Sequence, residues 1–240
     1  MSPTWCITKR EIGSYFKSPI AYIVLAGFVL LSGILIFEGL FMDGFFVQRI
    51  ARMDGFFFNL PFIFLFFAPA LAMRLLAEER GTGTIELLLT MPVRDRDVVL
   101  GKYLATLVVL AVALLGTAPI AIAVAKLGEL DPGPVLGGYL GAFLLGAVYL
   151  AAALLASAVT GSQIVAFIAG LAVCFALYAM GWLVSSVGGA GSIVQYASPE
   201  FHFRNLWRGF LDVRTLVYFA SAITAFLVLS IQALEARKWR

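Results

Sequence analysis

Polar and apolar residues separate along this chain into long blocks, with apolar runs at about 20–42, 57–77, 98–125, 135–159, 164–187 and 215–234. A helix needs roughly 20 mostly apolar residues to cross about 30 Å of hydrocarbon. The pattern therefore predicts an all-α membrane protein with six transmembrane helices. Ahead of the first run, residues 1–19 (MSPTWCITKREIGSYFKSP) mix charges with Trp5, Ile12, Tyr15 and Phe16, spaced to share one helix face. An N-terminal amphipathic helix lying at the membrane interface, ended by Pro19, is expected there. A basic start before an apolar run also describes a signal peptide. The run at 20–37 is longer than a signal core, however, and GLFMDGFF offers no small-residue cleavage site, so a retained span is expected.

Composition sharpens this picture. Of 240 residues, 62% are hydrophobic and 13% charged, so six crossings and their connections occupy the length and leave a single membrane domain, 1–240. Placing the N terminus inside puts Lys9, Arg10, Lys17, Arg74, Arg80, Arg94, Arg96, Lys102, Arg237, Lys238 and Arg240 in the cytoplasm, and Arg49, Arg52, Lys126, Arg204, Arg208 and Arg214 outside. Eleven against six favours cytoplasmic termini at both ends in the cytoplasmic (inner) membrane. The net charge of +3 is accounted for by that asymmetry and not by nucleic acid, which is not expected as a partner.

Charged residues are missing from the middle of every span. Glu38, Arg74 and Lys102 stand at span ends, where snorkelling to the interface explains them. Ion-coupled carriers place working charges at mid-membrane, so this chain does not read as one. Cys6 and Cys174 read as a cytosolic thiol and a packing residue, and with His202 as the one histidine no metal or haem centre is expected. Ser157 and Ser162 lack a histidine partner and read as packing or capping residues. Gly137, Gly141, Ala142 and Gly146 give small-xxx-small spacing along the fourth span, which lets helix backbones approach closely. Pro61, Pro69 and Pro119 mark possible kinks in the second and third spans.

Two connections exceed minimal length. The first, 78–97, begins EERGTGTIELLLTMP: Gly81 and Gly83 break the incoming span, Gly83 or Thr84 starts a short helix with Glu86 in its first turn, and Pro92 stops it. Ile85, Leu88 and Leu89 form an apolar stripe, and Asp97 is placed to cap the third span. The expected product is a stubby cytoplasmic helix clamped between two spans. The second connection, 188–214, contains SPEFHFRNLWRGFLDVR, with Ser198 at an N-cap position, Pro199 at the first helical position and Glu200 in the first turn. Phe203, Leu206, Trp207 and Phe210 share one side, which predicts an external interfacial helix with its aromatic face in the membrane boundary and His202 as a hydrogen-bonding bystander.

The run EERGTGTIELLLTMPVRDRDVVLGKYLA resembles the corresponding loop of type 2 ABC-transporter permeases, in which acid-acid-basic, Gly-Thr, Glu, Leu-Leu, Pro and Gly-Lys recur in this order. The C-terminal stretch SPEFHFRNLWRGFLDVRTLVYFASAITAFLVLSIQALEARKWR and the turn TGSQIVAF are similar to the gliding-motility branch of that superfamily. The resemblance implies a permease subunit of an ATP-driven exporter, working as a pair with itself or a sister permease. It implies that Glu78, Glu79, Arg80, Thr82, Gly83, Thr84, Glu86, Leu88, Leu89 and Pro92 contact a cytoplasmic ATPase, and that the external segment is re-entrant and forms the exit gate. The one Gly-Lys pair, Gly101-Lys102, lacks the upstream glycine of a phosphate-binding loop and is followed by Tyr103. ATP-Mg is therefore expected on the partner, with no cofactor and no catalytic site in this chain. A membrane scaffold that recruits a soluble protein without transporting anything is the alternative function. The cargo stays open among lipid, peptide, polysaccharide and drug.

Overall fold

The computed structural model describes residues 2–38, 53–83, 94–128, 131–186 and 196–236, and among these no residue lies in a strand. Chain order gives α1 (Pro3–Lys17), α2 (Pro19–Glu38), α3 (Asp54–Ala72), α4 (Ala77–Gly81), α5 (Asp95–Gly116), α6 (Ala118–Leu127), α7 (Pro132–Val159), α8 (Gln163–Ser186), α9 (Pro199–Trp207) and α10 (Val213–Glu235). Among the described residues, five helical stretches are long and apolar enough to cross a membrane: Asp54–Gly81, Asp95–Leu127, Pro132–Val159, Gln163–Gly181 and Val213–Glu235. A sixth is reached if α1 and the helix after it, bent by 74° from each other, count as one broken span.

The central helix is α7, which packs against α3, α5, α8, α9 and α10. Its sequence explains the position. Glycine and alanine recur along it, so neighbours approach closely from several directions, and most of Gly137–Ala158 is buried. Beside it, α3 is rich in phenylalanine and mostly buried. Phe28 of α2 reaches Phe64 and Phe67 of α3 with ring centroids 5.8 and 4.6 Å away, which fastens the first span to the core. By contrast α8 and α10 keep most of their apolar surface outward, as spans facing lipid or a partner do.

Breaks in the spans follow local chemistry. Pro61 and Pro69 are carried inside α3 without breaking it. After Ala72 the helix loosens through residues 73–76 and resumes as α4. The third span, placed at 98–125 with Pro119 marked as a kink site, divides at Thr117 into α5 and α6. Thr117 bonds its hydroxyl to the Leu114 carbonyl and meets the Tyr139 hydroxyl at 3.1 Å, while Pro119 lies in the first turn of α6. Asp97 was placed by sequence as the cap of this span. Arg94 holds that position, and Asp97 in the first turn accepts a hydrogen bond from Thr4 instead.

Candidate functional site

The start of α5, the short α4, the whole of α1 and the last turns of α10 meet at one end of the bundle. Here α1 does not lie on the surface by an apolar face alone. Thr4, Thr8, Glu11 and Tyr15 recur at i, i+4, i+7 and i+11 and make one continuous stripe on it. Every member of the stripe bonds to another part of the chain. Thr4 donates to Asp97 Oδ1 (3.0 Å), Thr8 to the Gly101 carbonyl (3.1 Å) and Tyr15 to the Leu71 carbonyl (2.8 Å). Glu11 accepts from Lys102 Nζ (3.2 Å). Gly101 makes the crossing possible, because a Cβ there would stand 2.9 Å from Ile7 and 3.0 Å from the Thr4 carbonyl. Burial and the neighbouring Glu11 carboxylate push the Tyr15 hydroxyl above its ordinary pKa, so it stays a donor through the physiological range.

Lys102 is the centre of this contact. Sequence reasoning had it snorkelling outward; it is 2% exposed and held between two carboxylates. Its ammonium lies 2.8 Å from Glu79 Oε1 and 3.2 Å from Glu11 Oε1, while Arg10 Nη2 reaches the same two oxygens at 3.6 and 3.0 Å. Two cations and two anions thus alternate around a closed ring that joins α1, α4 and α5. Each buried charge in it faces charges of opposite sign, the condition under which burial of an ion is tolerated. Arg74, also assigned to snorkelling, pairs with Glu78 at 3.0 Å and donates to Ser18 Oγ at 3.2 Å. The Glu38 side chain lies outside the described residues.

The five-residue α4 carries Glu78, Glu79 and Arg80, and its start is fixed by Ser157 of α7. Ser157 Oγ accepts the N–H groups of Leu76 (3.2 Å) and Ala77 (3.1 Å), two donors that the break after α3 leaves without helical partners. Of the packing or capping expected for Ser157, capping is what these two bonds provide. We expect Ser157→Ala to leave both donors buried and unmatched at a cost of about 1–3 kcal/mol. Amide hydrogen exchange at Leu76 and Ala77 should accelerate, and unchanged exchange would refute the cap. At its other end α4 abuts the turn between α7 and α8, where a Cβ on Gly81 would come 2.7 Å from the Gly161 carbonyl. Thr82 then bonds to the Glu78 carbonyl, and Gly83 turns out of the helix at φ 72°, a conformation that glycine adopts without strain. The structure so brings together Glu78, Glu79, Arg80, Thr82 and Gly83; Thr84, Glu86, Leu88, Leu89 and Pro92 lie outside the described residues.

The opposite end is closed by α9. Phe203 and Leu206 are buried, and they pack on Gly141 and Gly137 of α7 instead of facing the membrane boundary as their amphipathic spacing suggested. Trp207 is the last residue of the helix and Phe210 lies beyond it, 69% exposed, so the four predicted residues do not form one face. Gly209, at φ 88°, ends the helix and bonds its N–H to the Leu206 carbonyl. Ser198 occupies the N-cap position, but its buried hydroxyl makes no capping bond. His202 is buried and stacked on Tyr218 at 4.1 Å. Its Nε2 faces the Tyr196 carbonyl at 2.9 Å and therefore carries the proton, leaving Nδ1 to accept from Thr215. These contacts, with Tyr218 donating to the Ala197 carbonyl at 2.6 Å, bind α9 to α10 as well as α7.

An all-helical bundle with five or six membrane-length helices and a polar assembly at one end defines an integral, polytopic membrane protein. Residues 28–238 match the sequence model of the ABC-2 family transporter protein, and the chain belongs to that family. It is accordingly a membrane-spanning permease component of an ABC transporter, a class that works with an ATP-binding subunit. No curated protein matches the chain at a significant level.

Proposed function

We infer that this chain is the permease subunit of an ATP-driven exporter of the cytoplasmic membrane, with both termini in the cytoplasm and 78–92 as the element on which the ATPase subunit docks. The observation that carries the reading is the treatment of the two stems of that loop. The entry stem, α4, is pinned by Ser157 to the central helix and by Glu79 to Lys102, and the exit stem is the start of α5. A loop whose stems are anchored in this way passes a push from a soluble partner into the spans, because packed elements move as units. ATP-Mg binds and is hydrolysed on the partner, and nucleotide-driven closure of a pair of ATPase subunits rocks a pair of permeases, either two copies of this chain or this chain with a sister. α9 acts as the external gate through Phe203, Leu206 and Trp207. The tail at 198–240 favours the gliding-motility branch.

Copurification tests the docking. The wild-type chain should retain an ATP-binding subunit, and replacing 84–92 by a Gly-Ser linker of equal length should lower its retention at least tenfold while leaving the bundle folded. Glu86→Lys should weaken it to a lesser degree. Undiminished retention by the linker variant would remove the docking role and favour a scaffold that recruits its partner elsewhere.

A further inference from the structure

We propose that α1 is a strap that holds the two stems of the 78–97 loop in register, with Glu11 and Lys102 as its positioning residues. The proposal rests on the docking reading above and adds an element to it, since the family match begins at residue 28 and α1 ends at Lys17.

Its basis is the distribution of the contacts. Toward the exit stem, α1 gives the Thr4 bond to Asp97, the Thr8 bond to Gly101 and the close approach of Ile7 to Gly101. Toward the entry stem it gives Arg10 to Glu79, and through Lys102 the carboxylates of Glu11 and Glu79 share one cation. Tyr15 and Ser18 continue the attachment to the end of the second span, at the Leu71 carbonyl and Arg74. One rigid helix therefore grips both sides of a loop whose sides belong to different spans. A stripe of four polar residues, each matched to a group outside the helix, is more than lipid adhesion requires; an interfacial helix needs only its apolar face. The physical consequence is that the two stems cannot separate without opening the ring or dragging α1 along. A motion imposed on the loop reaches the first, second and third spans together.

The test uses the full chain assembled with its ATPase subunit in vesicles of phosphatidylethanolamine and phosphatidylglycerol. A spin label on the exposed native Cys6 is paired in turn with one on Thr82→Cys and one on Arg96→Cys; Cys174 is buried and stays unlabelled. Both distances are expected to be narrow and the same without nucleotide and with ATP on a hydrolysis-deficient ATPase subunit. In Thr8→Val/Glu11→Gln, ATP should shift and broaden the Cys6–82 distance, and Glu11→Asp, which keeps the charge, should restore ATP independence. Arg10→Gln, at an exposed position, should broaden the same distance and replaces the double variant if that one fails to fold. An ATP-dependent distance in the wild-type complex, or variants indistinguishable from it, overturns the strap and leaves the docking reading standing. Failure of the ATPase subunit to assemble on the wild-type chain overturns both.

Discussion

Lys102→Met should destabilise the folded protein by about 3–5 kcal/mol, the cost of removing one partner from a buried ion pair. Methionine fills nearly the same volume, so packing changes little and the loss is electrostatic. What remains is two carboxylates sharing the ring's other cation, Arg10, which is mostly solvent-exposed and weakened by screening. The internal check is the triple variant Lys102→Met/Glu11→Gln/Glu79→Gln. It removes the uncompensated charges along with the ammonium and should recover most of the loss, because a buried pair replaced as a whole is close to neutral. Unfolding in detergent is followed by the reactivity of the buried Cys174 thiol in a Cys6→Ser background. A wild-type-like Lys102→Met, or a triple variant as unstable as the single, would show that the ring does not carry the energy assigned to it.

The difference between this ring and the expected snorkelling marks where sequence reading stops. Span positions were legible because a hydrophobic run of membrane length has few other uses, and Ser157 was legible as a packing or capping residue because nothing near it suggested chemistry. A lysine seven residues into an apolar helix is ambiguous between reaching out and pairing in, and its partner Glu11 lies 91 positions away. The stripe Thr4, Thr8, Glu11, Tyr15 does have helical spacing, but the apolar grouping Trp5, Ile12, Tyr15 and Phe16 claims Tyr15 for the adjacent face, whereas its hydroxyl bonds the Leu71 carbonyl. The search rule that looks for burial by hydrophobicity misses a helix whose docking face is polar. For α9 the error had the opposite form. Its aromatic residues were assigned to the membrane boundary and the glycines of the fourth span to close helix approach, yet the fold packs the two on each other. The break at Thr117 had its signal in Pro119, which lacks the N–H that would serve the Leu115 carbonyl, while the Thr117 hydroxyl bonds the carbonyl of Leu114 beside it.

Gly137→Ala should cost about 1–3 kcal/mol and loosen α9, a large effect for one methyl group. The reason lies in what the new Cβ meets. At Gly137 it would stand 2.5 Å from the Leu206 carbonyl oxygen, a backbone atom already fixed by its bond from Gly209, so the whole short helix must shift. Gly138→Ala should cost a similar amount, since its Cβ would collide with the Phe57 ring, itself hemmed by Phe56, Tyr139, Phe203 and Trp207. Gly146→Ala should cost less, because the atoms nearest its Cβ are the flexible end of Leu110, at 2.9 and 3.0 Å. Gly133→Ala, exposed in the first turn, should stay within about 0.5 kcal/mol of wild type. The ranking, read by the same Cys174 assay, separates two accounts of the glycines in α7. If they serve only as generic small residues in a membrane helix, the four substitutions should fall together in one narrow range. If Gly137 is the seat on which α9 closes the bundle and Gly138 the one against which the Phe57 ring of α3 is pressed, those two should stand apart. Gly137→Ala should then also expose His202 to solvent, because α9 holds that ring against Tyr218.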